Sequence, residues 1–191
     1  MSPLILASTS RYRADLLARL RLSFEAVAPK ADETPKPGET AQKLAARLAR
    51  DKAQSVARLR PDACVIGSDQ VASCVNRLLG KPGTREAAAE QLAFMAGRTV
   101  MFATAVCLVH PDLPRPLAEI DVTLVKLRRL KPADIERYLD AEPALDCAGS
   151  FRVEGLGITL FEDIQSRDPT GLIGLPLIAT GRLLRKAGYP L

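Results

Sequence analysis

Six short clusters in this 191-residue sequence carry residue types able to handle phosphate, metal or protons. The first is Ser8-Thr9-Ser10-Arg11-Tyr12-Arg13, where an apolar run passes into a helical pattern. Free N–H groups and the dipole at a helix start attract anions, and arginine grips phosphate through two parallel hydrogen bonds. An ordinary Ser-capped helix with solvated arginines would carry the same letters. The second cluster, Asp32-Glu33, lies in a proline-rich loop, and the third, Lys52, sits inside a long helical pattern. Either one alone reads equally well as solvated surface. The fourth, Ile66-Gly67-Ser68-Asp69-Gln70, closes an apolar strand. An acid at the carboxyl end of a buried strand stands where α/β sheets bind ligands. Asp69 there can bind a divalent metal, deprotonate a water, or simply cap a turn. The fifth, Gly80-Lys81-Pro82, offers a lysine to a phosphate oxygen but is no P-loop, because G-x-x-x-x-G-K-[ST] is absent. The sixth runs from Cys147 to Gly157 and places Glu154 among glycines. A carboxylate there can accept from the N1–H and N2–H₂ of guanine, although such glycine spacing also suits a turn or bulge.

The elements that must position these clusters follow from hydrophobic periodicity and capping signals. Leu4–Ala7 reads as a buried strand. Ser10 can cap a helix to about residue 20, with Leu16, Leu17 and Leu20 on its apolar face. Phe24–Ala28 is a second strand, and Pro29–Gly38 is a loop. Thr40 opens a long helix to about residue 59, with Leu44, Leu48, Lys52, Ser55 and Leu59 along one stripe. Cys64–Gly67 is a strand ending at Ser68-Asp69-Gln70; Val71–Val75 continues it or begins a hairpin across Asn76-Arg77. Thr84 caps a helix that stops at Gly97. Two long strands, Val100–Val109 and Glu119–Arg128, are joined by the loop around Pro111–Pro116. Pro132 starts a helix to about residue 140, the glycines of Gly149–Phe161 mark tight turns or a close approach to a ligand, and Pro176–Ala187 is the last helix. Mixed strands and helices with an antiparallel pair indicate α/β or α+β rather than a pure Rossmann unit.

Composition removes several function classes. There is a single histidine, His110, in what reads as a hairpin loop, so multi-His metal sites are impossible and a His-dependent triad would have to stand on that loop. Proton chemistry then falls to Asp, Glu or Lys, and any metal is a hard, oxygen-bound cation such as Mg²⁺ or Mn²⁺. The four cysteines, 64, 74, 107 and 147, show no C-x-x-C spacing; Cys64 and Cys107 read as reduced core thiols. The net charge of +5 is scattered and aromatics are only 4%, with no Trp, so stacking platforms for single-stranded nucleic acid are scarce. The charge suits a small polyanion better than a long one. No apolar run reaches the length of a membrane span, and the start lacks the pattern of a secretory signal, so a cytoplasmic protein is expected.

Taken together and in order, the six clusters resemble the Maf family of nucleotide pyrophosphatases, end to end. The family's L-A-S-x-S, D-E-T, mid-helix K-A, G-x-D, G-K-P and G-S-F-x-x-E-G stand here as Leu6–Ser10, Asp32–Thr34, Lys52-Ala53, Gly67–Asp69, Gly80–Pro82 and Gly149–Gly155. Gln70 after the acid, the segment Cys147–Gly155, and the tail with Ile158–Phe161, Arg167-Asp168-Pro169 and Gly174–Leu177 resemble the branch that hydrolyses 7-methyl-GTP. One departure is visible: Arg11 stands at the family's usual Pro position, Tyr12 at the variable specificity position where this branch has Trp, and Arg13 at the matching arginine.

The resemblance implies a single Maf-type domain over residues 1–191, an elongated, ITPase-like mixed α/β sheet with two lobes around a central cleft, often dimeric. It also implies hydrolysis between the α- and β-phosphates. Asp69 would be the base and Glu33 and Asp69 the ligands of a divalent cation, Mg²⁺ or Mn²⁺. Ser8, Arg13, Lys52 and Lys81 would hold phosphates, and Tyr12, Gln70 and Glu154 would choose the nucleotide base. Two rival readings stay open: a Maf pyrophosphatase for dTTP or UTP, and a non-catalytic nucleotide-binding regulator of septum formation. The expected partner is a small nucleotide, with neither nucleic acid nor membrane bound.

Overall fold

Four N-terminal apolar residues, Leu4–Ala7, form strand β1, and all four side chains are buried. In the computed structural model, which describes residues 2–191, β1 is followed by α1 (Arg11–Ala18), β2 (Glu25–Val27), α2 (Ala41–Ala57), β3 (Cys64–Cys74) and β4 (Arg77–Leu79). Then come α3 (Arg85–Met95), β5 (Thr99–Val109), β6 (Leu117–Leu127), α4 (Pro132–Ala141), β7 (Phe161–Gln165) and α5 (Leu177–Lys186). The strands form one seven-stranded sheet in the order β2-β1-β3-β5-β6-β7, with β4 paired to β3. β1 runs parallel to β2 and β3, whereas β3–β4 and β6–β7 are antiparallel. The fold is mixed α/β, as expected.

Three helix starts follow the capping logic of the sequence. Ser10, Thr40 and Thr84 each accept a hydrogen bond from the backbone N–H three residues on, at 3.4, 3.3 and 3.2 Å. Gly97 and Gly188, just beyond α3 and α5, adopt φ of +67° and +86°, a conformation that suits glycine.

The chain divides into two units. Unit 1 comprises residues 1–70, 104–121 and 168–191; unit 2 comprises 71–103 and 122–167. β3, β5 and β6 contribute residues to both. The core of unit 1 gathers Leu4 and Leu6 of β1, Leu16 and Leu17 of α1, Cys64 and Ile66 of β3, Val106 and Leu108 of β5, and Leu183 and Leu184 of α5. Within unit 2, Phe151 packs edge-on between Phe102 and Phe161, with ring centroids 5.4 and 4.6 Å away.

Two expectations need correction. Of the two readings of Val71–Val75 the continuation holds: β3 runs on through Ser68, Asp69 and Gln70 to Cys74, so Asp69 lies mid-strand and not at the strand's end. The chain then reverses at Val75-Asn76, both at positive φ, into β4. The long helix ends at Ala57, and Leu59, expected on the buried stripe, is 71% exposed. His110 directly follows β5 and is buried; its Nδ1 accepts from the Asp112 N–H at 3.1 Å, which ties down the turn. Cys64 and Cys107 are buried free thiols, and burial pushes each up to about 11. Among the described residues, no helix is long and apolar enough to cross a membrane.

Candidate active site

The site in unit 1 is built where α2 lies on β3. A Cβ on Gly67 would fall 2.2 Å from the Ala49 carbonyl oxygen and 2.6 Å from the Ala53 nitrogen. Only glycine lets the helix backbone approach the strand this closely. The approach brings Lys52, one residue before Ala53, onto Asp69, two residues after Gly67. Lys52 Nζ donates to Asp69 Oδ1 at 2.6 Å and also pairs with Glu33 Oε1 at 2.6 Å. Lys52 and Asp69 are each 7% exposed, whereas the Glu33 side chain is 65% exposed. Three residues predicted from separate motifs thus meet at one ammonium.

Glu33 reaches this point because its loop is pinned from behind. Arg47 of α2 donates to the Asp32 carbonyl at 3.2 Å and the Thr34 carbonyl at 3.0 Å, one on each side of Glu33. The same guanidinium grips both carboxylate oxygens of Glu39, at 2.8 and 2.9 Å, and holds that carboxyl down to about 2. Sequence reasoning missed Arg47. Its only signal was its place five residues ahead of Lys52 on the same helix.

Since successive strand residues face opposite ways, Ser68 and Gln70 point away from Lys52. Ser68 Oγ lies 2.8 Å from the Ala105 carbonyl and 3.1 Å from the Gly174 carbonyl. Gln70 Nε2 donates to the Gly171 and Leu172 carbonyls and to Thr104 Oγ1 at 2.9–3.1 Å. These donors seat a short 3-10 turn, Gly171–Ile173. Arg13 joins them, its Nε donating to the Gly174 carbonyl at 3.0 Å. Burial lowers the proton affinity of Arg13, opposed by the fields of Asp69 and Glu33, so the arginine lies within electrostatic reach of both carboxylates. Arg11, by contrast, is solvated with its side chain 92% exposed, beside Asp15.

Ser8 follows β1, which ends level with Gly67 in the parallel register. Its buried Oγ accepts from the Ser10 N–H at 3.1 Å. Tyr12 is half-buried on α1. Asp168, quoted above only as part of a tail motif, is buried and structural: it accepts from the Thr170 N–H and hydroxyl and from the Ile178 N–H at the start of α5.

The remaining two predicted residues belong to unit 2. Lys81 is exposed, in a loop held by Gln91 Nε2 donating to the Gly80 carbonyl at 3.2 Å and by the Gly83 N–H donating to the Leu145 carbonyl at 3.0 Å. Glu154 is exposed in the segment preceding β7. No group of three or more His, Cys, Asp or Glu placed to hold a metal occurs among the described residues.

Comparison with known proteins gives one consistent result. A family model described as Maf-like protein matches residues 3–187. The chain is 60% identical over 191 residues to the 7-methyl-GTP pyrophosphatase of Xanthomonas oryzae pv. oryzae (strain MAFF 311018), covering 100% of both chains. It is 52% identical over 189 residues to the protein of that name from Polaromonas sp. (strain JS666 / ATCC BAA-500), covering 99% of this chain and 86% of the relative. Against its namesake in Nitrosococcus oceani the identity is 50% over 187 residues, covering 98% and 94%. Among solved structures, the Staphylococcus aureus Ham1 protein superposes with a TM-score of 0.50 at 15% identity, covering 68% of this chain and 73% of that one. That likeness concerns the fold alone.

Proposed function

Because the chain belongs to the Maf-like family along nearly its whole length, we propose that it hydrolyses 7-methyl-GTP to 7-methyl-GMP and diphosphate. The observation that carries this reading is the Glu33–Lys52–Asp69 cluster with Arg13 in its field. It combines a carboxylate fixed in orientation with cations for a polyphosphate, without any histidine.

Asp69 is the general base. Its Oδ1 is held by Lys52, which leaves Oδ2 to take a proton from the water that attacks the α-phosphorus. Lys52 has three N–H donors, two of them directed at carboxylates, so the third is available to a phosphate oxygen. Arg13 uses Nε to hold the Gly174 carbonyl, which turns the two outer nitrogens of its fork toward phosphate. In unit 1, Ser8 is assigned to phosphate and Tyr12 and Gln70 to base choice; in unit 2, Lys81 is assigned to phosphate and Glu154 to the base.

The donor set fits a divalent cation of the Mg²⁺ type. Glu33 and Asp69 each place a hard oxygen 2.6 Å from the same nitrogen, so their carboxylates are close enough to share one ion. The protein supplies too few ligands to cage a metal alone, whereas Mg²⁺ typically takes one or two carboxylates plus substrate phosphates and water. When bound, Mg²⁺ or Mn²⁺ supplies charge neutralisation to the polyphosphate.

The same reading places the enzyme in the cytoplasm, acting on free nucleotides and removing modified ones before they enter nucleic acid. It allows a homodimer, which sedimentation equilibrium tests. The deciding experiment measures pyrophosphate release over 7-methyl-GTP, GTP, dTTP and UTP with Mg²⁺ or Mn²⁺, and again with a chelator. We expect 7-methyl-GTP to lead the panel, to yield a monophosphate with pyrophosphate, and to stop reacting once the metal is removed. Release of orthophosphate and a nucleoside diphosphate would overturn the cleavage site. A lead for dTTP or UTP would overturn the substrate.

A further inference from the structure

Glu154 stands in a segment that helix α4 holds from two sides. Tyr138 on α4 and Glu142, the residue just past the end of that helix, both reach the run Arg152–Gly157. The Arg152 N–H donates to the Tyr138 hydroxyl oxygen at 3.2 Å. On the other flank, the Gly157 N–H donates to Glu142 Oε2 at 3.2 Å. A Cβ on Gly155 would fall 2.0 Å from Glu142 Oε1, so the carboxylate lies directly on the glycine backbone. A Cβ on Gly157 would in turn meet the Arg152 carbonyl oxygen at 2.3 Å, which shows how tightly the segment folds on itself. The Tyr138 hydroxyl points at the same Glu142 oxygen from 3.5 Å, completing a small brace. Tyr138 is 3% exposed, and burial pushes its hydroxyl pKa up, so it stays protonated across the working range.

Residues 152, 155 and 157 are therefore fixed from α4 while Glu154 between them is exposed. That is the arrangement a base-reading carboxylate needs. An exposed acid on a slack loop would spend its affinity on ordering itself, whereas this one is ordered by the helix beneath it. The two glycines, read from the sequence as turn formers or points of ligand approach, are the positions that admit the brace.

We propose that Tyr138 and Glu142 are positioning residues for base selection, acting through the Arg152–Gly157 segment on Glu154. This rests on the reading of Glu154 as the residue that recognises the Watson–Crick edge of guanine. Tyr138→Phe removes one hydroxyl and little volume, and Glu142→Ala removes the carboxylate. Each loses hydrogen bonds of ordinary strength, so the preference for 7-methyl-GTP over UTP, as a ratio of kcat/KM, should fall about three- to tenfold. The loss should appear mainly in KM, and Glu142→Gln, which keeps one acceptor oxygen, should recover part of it.

The experiment measures kcat and KM for both nucleotides in these variants, in Glu154→Gln, and in Glu154→Gln combined with Tyr138→Phe, with thermal melts alongside. The proposal expects the ratio to fall in each single variant, with no further fall when Tyr138→Phe is added to Glu154→Gln. If Glu154→Gln lowers the ratio but Tyr138→Phe and Glu142→Ala only lower the melting temperature, or slow both nucleotides equally, the brace is structural and the proposal fails. If Glu154→Gln itself leaves the ratio unchanged, it is the underlying reading of Glu154 that fails, and the brace has no reader to position.

Discussion

Replacing Lys52 by methionine keeps the length of the side chain and removes its charge. Asp69 is then left 7% exposed without its direct ion-pair partner. Removing one partner of a buried ion pair costs about 3–5 kcal/mol, because the other charge stays desolvated and uncompensated. Glu33 contributes little to that figure: its side chain is 65% exposed, and solvated pairs are worth about 0–1 kcal/mol. For a chain of this size each kcal/mol moves the melting midpoint by about 2–4 °C, so Lys52→Met should lower it by about 6–20 °C. Glu33→Gln should lower it by no more than about 4 °C on the same scale. Pairing Lys52→Met with Asp69→Leu removes the orphaned carboxylate, and most of the lost stability should return. Urea and thermal unfolding of the four proteins check the stability, and pyrophosphate release checks the chemistry. The double variant should be inactive, since losing a general base alone typically costs about 10²–10⁴-fold, and Lys52→Met should lower the rate by removing a phosphate cation. Equal destabilisation by Lys52→Met and Glu33→Gln would refute the reasoning, because it would mean that Asp69 does not need a cation to stay buried.

Gly67→Ala should cost at least the roughly 1–3 kcal/mol typical of overpacking, since the new methyl meets helix backbone that cannot rotate away; a melting curve and loss of turnover would show it. Arg47 holds Glu39 at about 2, below the carboxyl's ordinary value of 4.5, so the pair stabilises the fold above about pH 4.5 and that contribution fades as acid approaches pH 2. Arg47→Met should return the Glu39 titration, followed by NMR, to the ordinary range, and should slow turnover by freeing the loop that carries Glu33. Cys64, Cys107 and Cys147 are each pushed up to about 11 by burial. At pH 8 none should react promptly with a thiol reagent in the native protein, and all four cysteines should react in urea.

Local signals were legible in the sequence wherever the cause was local. Capping hydroxyls at Ser10, Thr40 and Thr84 marked helix starts because each side chain bonds its own first turn. Helical spacing grouped Lys52 with Leu44 and Leu48, while the lysine alone read equally well as solvated surface; it is buried. The continuation of β3 stood as one of two open readings because Ser68-Asp69-Gln70 interrupts an apolar run. Those three side chains can sit mid-strand only because Lys52, Gly174 and Gly171–Leu172 supply partners from 17 to 106 residues away. β7 left no period to read, since four of its five residues are exposed and it pairs only with β6. Leu59 misled for the opposite reason: it kept the helical spacing after the helix had ended. The members of the Glu33–Lys52–Asp69 cluster were each visible as types, whereas their meeting at one nitrogen depends on the bare Cα of Gly67, a distance no spacing rule encodes.

The partner of Arg13 has a consequence for synthesis. The Gly174 carbonyl lies 161 residues downstream of the arginine it orients. At about 5–20 residues per second, a ribosome takes about 8–30 s to cover that span. During this time α1 can form, and Lys52 can already have found Asp69, yet the phosphate fork has no anchor. The turn that provides it is itself seated by Ser68 and Gln70, whose acceptors on that turn lie 101 to 106 residues downstream. A nascent chain stalled before Gly171 would therefore carry every residue assigned to catalysis, phosphate and base, and still be inert. Translation would deliver the enzyme fully silent until its last helix emerges, so that no partial product handles nucleotides on the ribosome.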